Sequence, residues 1–398
     1  MQTGSRFALL LTFFFHCFYS FSQSSDTYTL QVQVSDDREA PLPGSYVMLP
    51  DQNRVATTDR SGMAQLSLPA GTYTVVTSFI GFATDTTEVN LQGNQTIAIS
   101  MRPQPLSMEE AVVSATRASR VTPIPHQEFS AEDLDKLNEG VDLPILLDQA
   151  TSVVTTSDAG AGVGYTGIRI RGSDPTRINV TVNGIPLNDA ESQGVFWVNM
   201  PDFASSVSSI QIQRGVGTST NGAGAFGATV NLNTIETQEE AYGIYSGSVG
   251  SFNTFKNTVE FGSGLINESF TIDGRLSRIT SDGFIDRASS ELQSYYLSAG
   301  YVHKKTFLKF ITFRGHERTY QAWYGVPQSR IDAGERTYNP YDYPDQVDDY
   351  GQTHYQLHLT QELTPELRIT AAGHYTQGAG FFEEYKGDRF NQGIFNDR

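Results

Sequence analysis

The sequence predicts a mainly β protein: an N-terminal β-sandwich, a mixed α/β domain, and an incomplete antiparallel β-barrel wall of the transmembrane kind. Three observations predict this class. Short alternating strands separated by turn residues fill residues 27–102. Helix-start signals are mixed with strands over residues 126–235. After Ala241, strands of about nine to eleven residues alternate apolar and polar side chains.

Composition limits the possible functions. The formal charge is −17, with 27 lysines and arginines against 44 acidic residues, which argues against a nucleic-acid ligand because a phosphate backbone requires basic patches. Aromatic residues reach 11% and glycines number 36, which suits many short strands and turns. Beyond residue 22 no apolar run reaches the roughly 18 residues of a transmembrane helix.

The first 22 residues are a predicted secretory signal peptide. Arg6 provides the basic region, an apolar run follows over residues 7–22, and small residues precede the expected cleavage between Ser22 and Gln23. A buried core segment is the alternative interpretation. The single cysteine, Cys17, lies inside this leader, so we expect a mature protein without disulfides or thiol chemistry.

Residues 27–102 form the first predicted domain, an all-β sandwich with turn residues between short alternating strands such as TYTLQVQVSD. The series PLPG, TDRSG, LPAGTYTV and IGF resembles the carboxypeptidase-regulatory-like domain. No catalytic set accompanies it, which favours a spacer or docking module.

Residues 103–125 are a predicted linker, because prolines near both ends disfavour helix. Its middle, MEEAVVSAT over residues 108–116, is a β-prone run between flexible flanks. Such a run could add as a strand to the sheet edge of a partner protein.

Residues 126–235 are a predicted α/β domain, called the mixed domain below. Ser130 as N-cap with Asp133 at the third helical position predicts a helix start. A second short helix should carry Leu143, Leu146 and Leu147, and strands follow in GIRIRG, INVTVNGIPL, SSIQIQRG and GATVNLNT. The glycine-rich run before the last strand lacks the Gly-Lys-Ser/Thr ending of a P-loop, so phosphate binding is not predicted.

Residues 241–398 predict about seven strands of a barrel wall. In TFKNTVEFG, SFTIDGRLS and THYQLHLTQEL, apolar side chains face one side and polar ones the other, whereas AYGIYSGSVG and TFLKFITFRG do not alternate cleanly and their facing stays open. Short turns near 264–267, 304–305 and 364–366 should alternate with longer loops at 280–293 and 315–352, and another loop should begin at Gln377. A soluble sandwich with one polar face is the alternative.

The order of these segments resembles that of the TonB-dependent outer-membrane receptors, of the ferric-citrate or siderophore type. The most specific series, IRG, NGIPL, IQRG and GAGAFGATVN within residues 168–234, resembles the plug domain of that family. The run MEEAVVSAT is similar to the TonB box, which implies that its residues pair with the protein TonB. These residues are Glu109, Glu110, Ala111, Val112, Val113, Ser114 and Ala115.

Arg171 and Arg214 each close a short strand and precede a glycine. The resemblance implies that these two corners pair with carboxylates on the inner barrel wall and lock the plug to the barrel, since a buried arginine–carboxylate contact fails badly when one partner is missing. In this family the partner glutamates lie on later strands.

The predicted wall is incomplete. Outer-membrane transporters with a plugged lumen have about 22 strands, and an open wall of seven would leave two unpaired edges in lipid. We therefore expect this chain to be the N-terminal part of a longer receptor.

The resemblance implies energy-coupled uptake of a scarce ligand, most specifically a ferric chelate or siderophore. The expected location is the outer membrane of a Gram-negative cell, with the N-terminal domain in the periplasm. The expected partners are TonB and its inner-membrane energy-coupling complex, the chelate, and outer-membrane lipid. Iron would enter only as part of the transported chelate, so no resident cofactor is expected.

The alternatives are a receptor of the same family for haem, cobalamin or a glycan, and a non-transporting surface binding or signalling protein. An enzyme is not predicted. The acidic pairs at 348–349 and 383–384 are adjacent in sequence, so they point apart in an extended chain and suit no general acid–base pair.

Ligand contacts are expected from loops that face outward. Arginines would suit an anionic chelate such as ferric citrate, and aromatic side chains would suit a flat ligand. Packing of the aromatic loop on its neighbours is the alternative. The candidates are Glu191, Gln193, Trp197, Arg318, Trp323, Tyr324, Arg330 and Arg336.

Three histidines form a further group. If a hairpin turns at 364–366, Gln356 lies opposite His374, with His354 and His358 as its diagonal neighbours. Three histidines on one face could hold a metal or haem. More often they are polar residues of a barrel lumen, so no metal site is predicted.

Overall fold

The structure is a computed structural model of the chain. It describes residues 27–385, except 53, 80–81, 103–116, 119–121, 123, 218–224, 235–237, 239, 268, 304 and 365–366. The predicted signal peptide and TonB box therefore lie outside the described residues. The chain divides into two compact units, Met1–Leu106 and Ser107–Arg398.

The first unit is a β-sandwich, as predicted. Its strands are β1 (Thr27–Ser35), β2 (Tyr46–Leu49), β3 (Arg54–Thr57), β4 (Met63–Pro69), β5 (Gly71–Ser78), β6 (Asp85–Leu91) and β7 (Gln95–Ser100). One sheet has the order β4-β1-β7 and the other β3-β2-β5-β6. Leu30, Val47 and Val75 are fully buried, because alternate residues of each strand face the space between the two sheets.

The mixed domain opens the second unit with strand β8 (His126–Ser130) and helix α1 (Ala131–Asp135). The predicted helix start is confirmed as a capping box. The Asp133 amide donates to Ser130 Oγ at 3.2 Å, and the Ser130 amide donates to Asp133 Oδ2 at 3.0 Å. Helix α2 (Leu143–Leu146) follows, and Leu147 begins a 3-10 turn, so the predicted leucines occupy the expected short helical segment.

Six further strands complete the mixed domain. They are β9 (Val153–Ser157), β10 (Thr166–Ile170), β11 (Ile178–Val182), β12 (Ile185–Pro186), β13 (Ser209–Arg214) and β14 (Ala228–Asn233). A five-stranded sheet has the order β12-β11-β14-β13-β8, and β10 pairs with β9 separately. No helix among the described residues is long and apolar enough to cross a membrane.

Seven antiparallel strands in sequence order form one sheet, called the wall below. They are β15 (Tyr242–Gly250), β16 (Thr254–Gly262), β17 (Phe270–Ser281), β18 (Ser290–His303), β19 (Thr306–Tyr320), β20 (Val347–Thr364) and β21 (Leu367–Phe382). A short helix, α3 (Gln328–Asp332), lies in the loop between β19 and β20.

The predicted alternation of the wall is confirmed, with apolar side chains on the outer face. Phe255 and Val259 of β16 are 46% and 45% exposed, while Lys256 and Thr258 between them are buried. Such a face, apolar outside and polar inside, reverses the arrangement of a soluble sheet and suits a wall between lipid and a polar interior.

Strand β19, which contains the segment TFLKFITFRG, shows why the facing of that segment stayed open in the sequence. Its inward side chains include Phe307, Ile311 and Phe313, which are buried in the same hydrophobic cluster as the core of the mixed domain. The Phe313 ring lies 4.9 Å from that of Phe203. Both faces of this strand are therefore apolar, one packing on the mixed domain and the other facing outward, and so it does not alternate.

The strands are longer than predicted, reaching 18 residues in β20. The loops expected at 280–293 and 315–352 shorten to 282–289 and 321–346. The expectation that a loop begins at Gln377 is wrong, because β21 continues to Phe382 and Gln377 pairs with Thr353 of β20. The strands extend beyond their apolar outer segments because their backbones continue to hydrogen-bond with the neighbouring strands.

Candidate functional site

The apical loop of the mixed domain, residues 187–196, is held in one shape by Asp189. Its Oδ1 accepts from the amides of Ser192 at 2.7 Å and Glu191 at 2.9 Å, and its own amide donates to the Gly194 carbonyl at 2.9 Å. The Ser192 amide holds the pKa of Asp189 below its usual range, so this carboxylate is charged at neutral pH. The loop presents a preformed, anionic surface.

A cavity of about 750 Å³ lies between this loop and the inner face of β19, β20 and β21. Aromatic side chains contribute much of its lining, among them Tyr165, Phe196, Tyr350, Phe381 and Phe382. Ligand pockets of drug-sized molecules have volumes of roughly 300–1,000 Å³ and are mostly apolar with a few polar groups. The cavity therefore has the size and character of a small-molecule site.

Tyr165 joins the mixed domain to two wall carboxylates that line the cavity. Its hydroxyl donates to Asp348 Oδ2 and also lies 3.4 Å from Glu317 Oε1. Burial and the negative charges of Glu317 and Asp348 raise the pKa of the phenol, so it stays protonated and acts as donor. Trp323 packs edge-on against Tyr165 at 5.6 Å.

The charge of this cavity is one-sided. Among the described residues that line it, four are carboxylates and none is lysine or arginine. The four are Asp189, Glu191, Glu317 and Asp348.

The arginines predicted to contact an anionic ligand lie elsewhere and are largely paired. Arg318 Nη1 lies 3.0 Å from Asp349 Oδ2. Arg330 Nη1 lies 2.7 Å from Glu335 Oε2, with its guanidinium 4.3 Å above the Tyr338 ring. Both cations are already balanced by a carboxylate. Arg336 is exposed.

The other predicted ligand residues are spread over several environments. Glu191 lines the cavity, whereas the Gln193 side-chain amide donates to the Ala190 carbonyl at 2.8 Å within the loop. Trp197 is only 4% exposed and belongs to the core of the mixed domain. Tyr324 packs on the ring of Tyr341 at 5.4 Å. Their predicted ligand contacts stay predictions.

The predicted register of the histidine hairpin is confirmed, since Gln356 pairs with His374 across β20 and β21. His354 stacks on Phe313 at 4.4 Å and contacts Thr376 and Gln352 through its two ring nitrogens. Within the described part of the chain no group of three His, Cys, Asp or Glu residues has the geometry of a metal site.

A buried ion cluster outside the cavity lining joins the mixed domain to the wall. Asp202 Oδ1 lies 2.7 Å from Lys256 Nζ, and Asp202 Oδ2 lies 3.4 Å from Arg275 Nη1. Thr258 Oγ1 donates to the same carboxylate at 2.6 Å. Burial alone would raise the pKa of Asp202, but the charges of Arg275 and Lys256 bring it well below its usual range. The carboxylate is therefore ionised and held by two wall cations.

The backbone also shapes this cluster. Asp202 adopts a left-handed conformation with φ 53°, just before the 3-10 turn Phe203–Ser206. Side chains other than glycine adopt this conformation at some cost. Here the bend lets Arg275 also donate to the main-chain carbonyl of Asp202.

The two Arg-Gly corners of the mixed domain lie side by side. A Cβ atom on Gly215 would lie 3.8 Å from Arg171 Nη1, and Arg214 Nη1 donates to the Thr151 carbonyl at 3.4 Å. Among the described residues neither Arg171 nor Arg214 makes an ion pair, so their predicted wall partners remain a prediction.

Sequence reasoning missed Asp202, Tyr165 and Glu317 as functional residues. It treated Asp348 only as half of an adjacent acidic pair whose members point apart, which the structure bears out: Asp348 meets Tyr165, and Asp349 meets Arg318. The available signal was the two cations Lys256 and Arg275 at inward positions of the wall, since buried cations need a carboxylate partner.

The sequence matches two described families. Residues 30–113 match the CarboxypepD_reg-like domain, and residues 118–229 match the TonB-dependent receptor plug domain. No protein of curated function matches the chain.

Solved structures share the fold. The ferric yersiniabactin uptake receptor FyuA from Yersinia pestis has a TM-score of 0.51 at 14% identity, covering 66% of this chain and 42% of that chain. The ferric-catecholate import receptor Fiu from E. coli K12, in its open form, has a TM-score of 0.53 at 14% identity, covering 65% of this chain and 39% of that chain. The ferric citrate transporter FecA in the unliganded form has a TM-score of 0.54 at 18% identity, covering 66% of this chain and 41% of that chain.

At these identities the likeness concerns the fold, a plug domain against part of a barrel wall. The chain spans about two fifths of the length of these structures.

Proposed function

We propose that this chain belongs to the TonB-dependent receptor family, whose plug-domain model it matches, and forms the ligand-capturing part of an outer-membrane receptor that imports a scarce small molecule. The observation that carries the proposal is the cavity of about 750 Å³ between the apical loop of the mixed domain and strands β19–β21. A ligand in this cavity would touch plug and wall together, so its binding could be sensed by the plug.

The location we propose is the outer membrane, with the N-terminal sandwich in the periplasm. Support comes from the outward belt of the wall, where Phe310 and Leu357, like Phe255, are more than a third exposed. Apolar surface of this extent is unfavourable in water and favourable in lipid. Outer-membrane lipid is accordingly a partner of this face.

The ligand class we propose is a ferric chelate or siderophore. The names of FyuA, Fiu and FecA refer to ferric yersiniabactin, ferric catecholate and ferric citrate, and the volume and aromatic lining of the cavity suit a compact chelate. The iron is cargo in this proposal, and no catalytic step is part of it.

Energy coupling is proposed to run through the segment Glu109–Ala115, which lies outside the described residues. TonB, driven by its inner-membrane energy-coupling complex, would pair with this segment as an added strand. The pull would then act on the mixed domain, whose first strand β8 begins at His126, eleven residues after Ala115.

The Arg171 and Arg214 corners are proposed to be a second attachment of plug to barrel, through carboxylates on later strands. In the full-length receptor, Arg171→Ala and Arg214→Ala should each destabilise the plug by roughly 3–5 kcal/mol if the partner carboxylate is left buried. In this chain by itself the effect should be small. Equal destabilisation in both would mean that the partners are local.

Uptake by a strain that lacks the receptor gene tests the function. Complementation with the gene should restore transport of at least one ⁵⁵Fe-labelled chelate, and dissipation of the proton gradient should abolish that transport while leaving surface binding intact. A strain that regains growth on haem, cobalamin or a glycan, with no gain in iron-chelate uptake, would disprove the ligand class.

A further inference from the structure

Two carboxyl groups that line the cavity, those of Glu317 and Asp348, share few hydrogen-bond donors. Glu317 is 1% exposed, and its described donors are the Thr319 hydroxyl at 2.9 Å and the shared hydroxyl of Tyr165. Asp348 receives that same hydroxyl. One phenol donates one proton, whereas the two side chains together present four carboxyl oxygens. The pair is therefore short of donors.

The neighbouring carboxylate shows the contrast. Asp349, next in sequence but facing the other side of β20, lies 3.0 Å from both His316 Nε2 and Arg318 Nη1. Neither Glu317 nor Asp348 lies within 4.0 Å of a cationic nitrogen among the described residues. Partly buried carboxylates without a cation are costly, so this side of the cavity lacks compensating positive charge.

A second observation points the same way. Asn199 lines the same cavity, is 7% exposed, and its carbonyl oxygen Oδ1 has no hydrogen-bond partner among the described residues. A buried acceptor without a donor costs roughly 1–3 kcal/mol. Asn199 belongs to the mixed domain and the carboxylate pair belongs to the wall. Both sides of the cavity therefore carry acceptors that a ligand with hydrogen-bond donors could satisfy.

We propose that this cavity recognises a cationic, donor-bearing end of the ligand, an ammonium or guanidinium group, placed against Glu317 and Asp348. The inference rests on the proposed function and narrows its ligand class from ferric chelates in general to chelates with such a group. It also reverses the charge expected from Arg318 and Arg330, which are already paired with carboxylates.

The aromatic lining supports the same class. Tyr165, Tyr350 and Phe381 line the cavity beside the carboxylates. Aromatic faces attract ammonium and guanidinium groups, especially where water is partly excluded. An anionic chelate would instead meet four carboxylates and no lysine or arginine among the described lining residues.

The test compares two ferric trihydroxamate chelates that differ in one group. The first carries a free terminal ammonium, and in the second that amine is acetylated, so the iron centre is unchanged and the positive charge is lost. Ferric citrate serves as the anionic probe. Affinity and ⁵⁵Fe uptake are measured with the complete receptor in outer membranes.

The ammonium chelate should bind at least tenfold more tightly than its acetylated form, which corresponds to about 1.4 kcal/mol. The double variant Glu317→Gln with Asp348→Asn keeps the side-chain shapes and should bring the ratio close to one, with little change for the acetylated chelate. Glu291→Gln, the same type of change at an exposed pair with Arg278 on β17, should leave the ratio as in the native receptor.

Equal binding of the two trihydroxamates, or tighter binding of ferric citrate, would overturn the inference while the uptake function stands. Unchanged discrimination in the double variant would also overturn it. If the complete receptor takes up no ferric chelate of any kind, the proposed ligand class itself fails.

Discussion

Replacing Asp202 by asparagine should loosen the mixed domain from the wall. The substitution keeps the side-chain shape but removes the single negative charge that two cations share. Lys256 and Arg275 are 4% and 2% exposed, so after the change both would remain buried and lack their direct anionic partner.

The magnitude follows from this burial. Removing one member of a buried ion pair costs roughly 3–5 kcal/mol, because the remaining charge is left uncompensated. Arg275 keeps its contacts with the main-chain carbonyls of Pro201 and Asp202, which places the expected loss near the lower limit, about 3 kcal/mol. Local opening of this segment should become about a hundredfold more frequent.

Amide hydrogen exchange over residues 200–207 of the complete receptor in detergent measures this opening. Glu132→Gln is the control, since Glu132 and Lys136 form an exposed pair at 2.7 Å that contributes little. Adding Lys256→Met to Asp202→Asn should recover part of the protection by removing one stranded cation. Exchange that rises no more in Asp202→Asn than in the control would refute the reasoning.

Other predictions concern pH, packing and energy coupling. Burial raises the pKa of Asp142 from 3.8 to about 7, so the folded mixed domain holds this proton more tightly than the unfolded chain. The melting temperature of the protein should therefore fall as pH rises from about 4 to about 7, and Asp142→Asn should flatten that profile. At Gly315, an added Cβ would overlap with the main-chain carbonyl of Asn199, so Gly315→Ala should lower the melting temperature by an amount equivalent to about 1–3 kcal/mol. Gly373→Ala is the control and should have little effect, because nothing lies within 4 Å of a Cβ added there. Val112→Pro removes a strand donor and should abolish uptake with surface binding intact, whereas Val112→Thr should transport normally; normal uptake by the proline variant would make this segment a plain linker.

Much of the architecture could be predicted because it depends on local periodicity. Alternation of apolar and polar side chains is a property of extended backbone, and it predicted which faces of β16, β17 and β20 point outward. The capping box of Ser130 and Asp133 is likewise local, since these residues are three positions apart. The pairing of Gln356 with His374 followed from the position of one turn.

The site depended on contacts that no local pattern encodes. Tyr165 and Asp348 are 183 residues apart in sequence, and Asp202 and Thr258 are 56 apart. Whether a carboxylate meets a cation, a phenol or an open cavity is decided by how the mixed domain packs against the wall.

The sequence by itself determined a sandwich, a plug-like domain and a wall with an apolar outer face in this order, since periodicity and turn chemistry act over a few residues. Only the tertiary structure decided that Arg318 is paired with Asp349 while Glu317, one residue earlier, faces the cavity beside Tyr165. Neighbouring residues of a strand point to opposite faces, and the partner on each face comes from a distant part of the chain. The electrostatics of the cavity therefore emerge from packing.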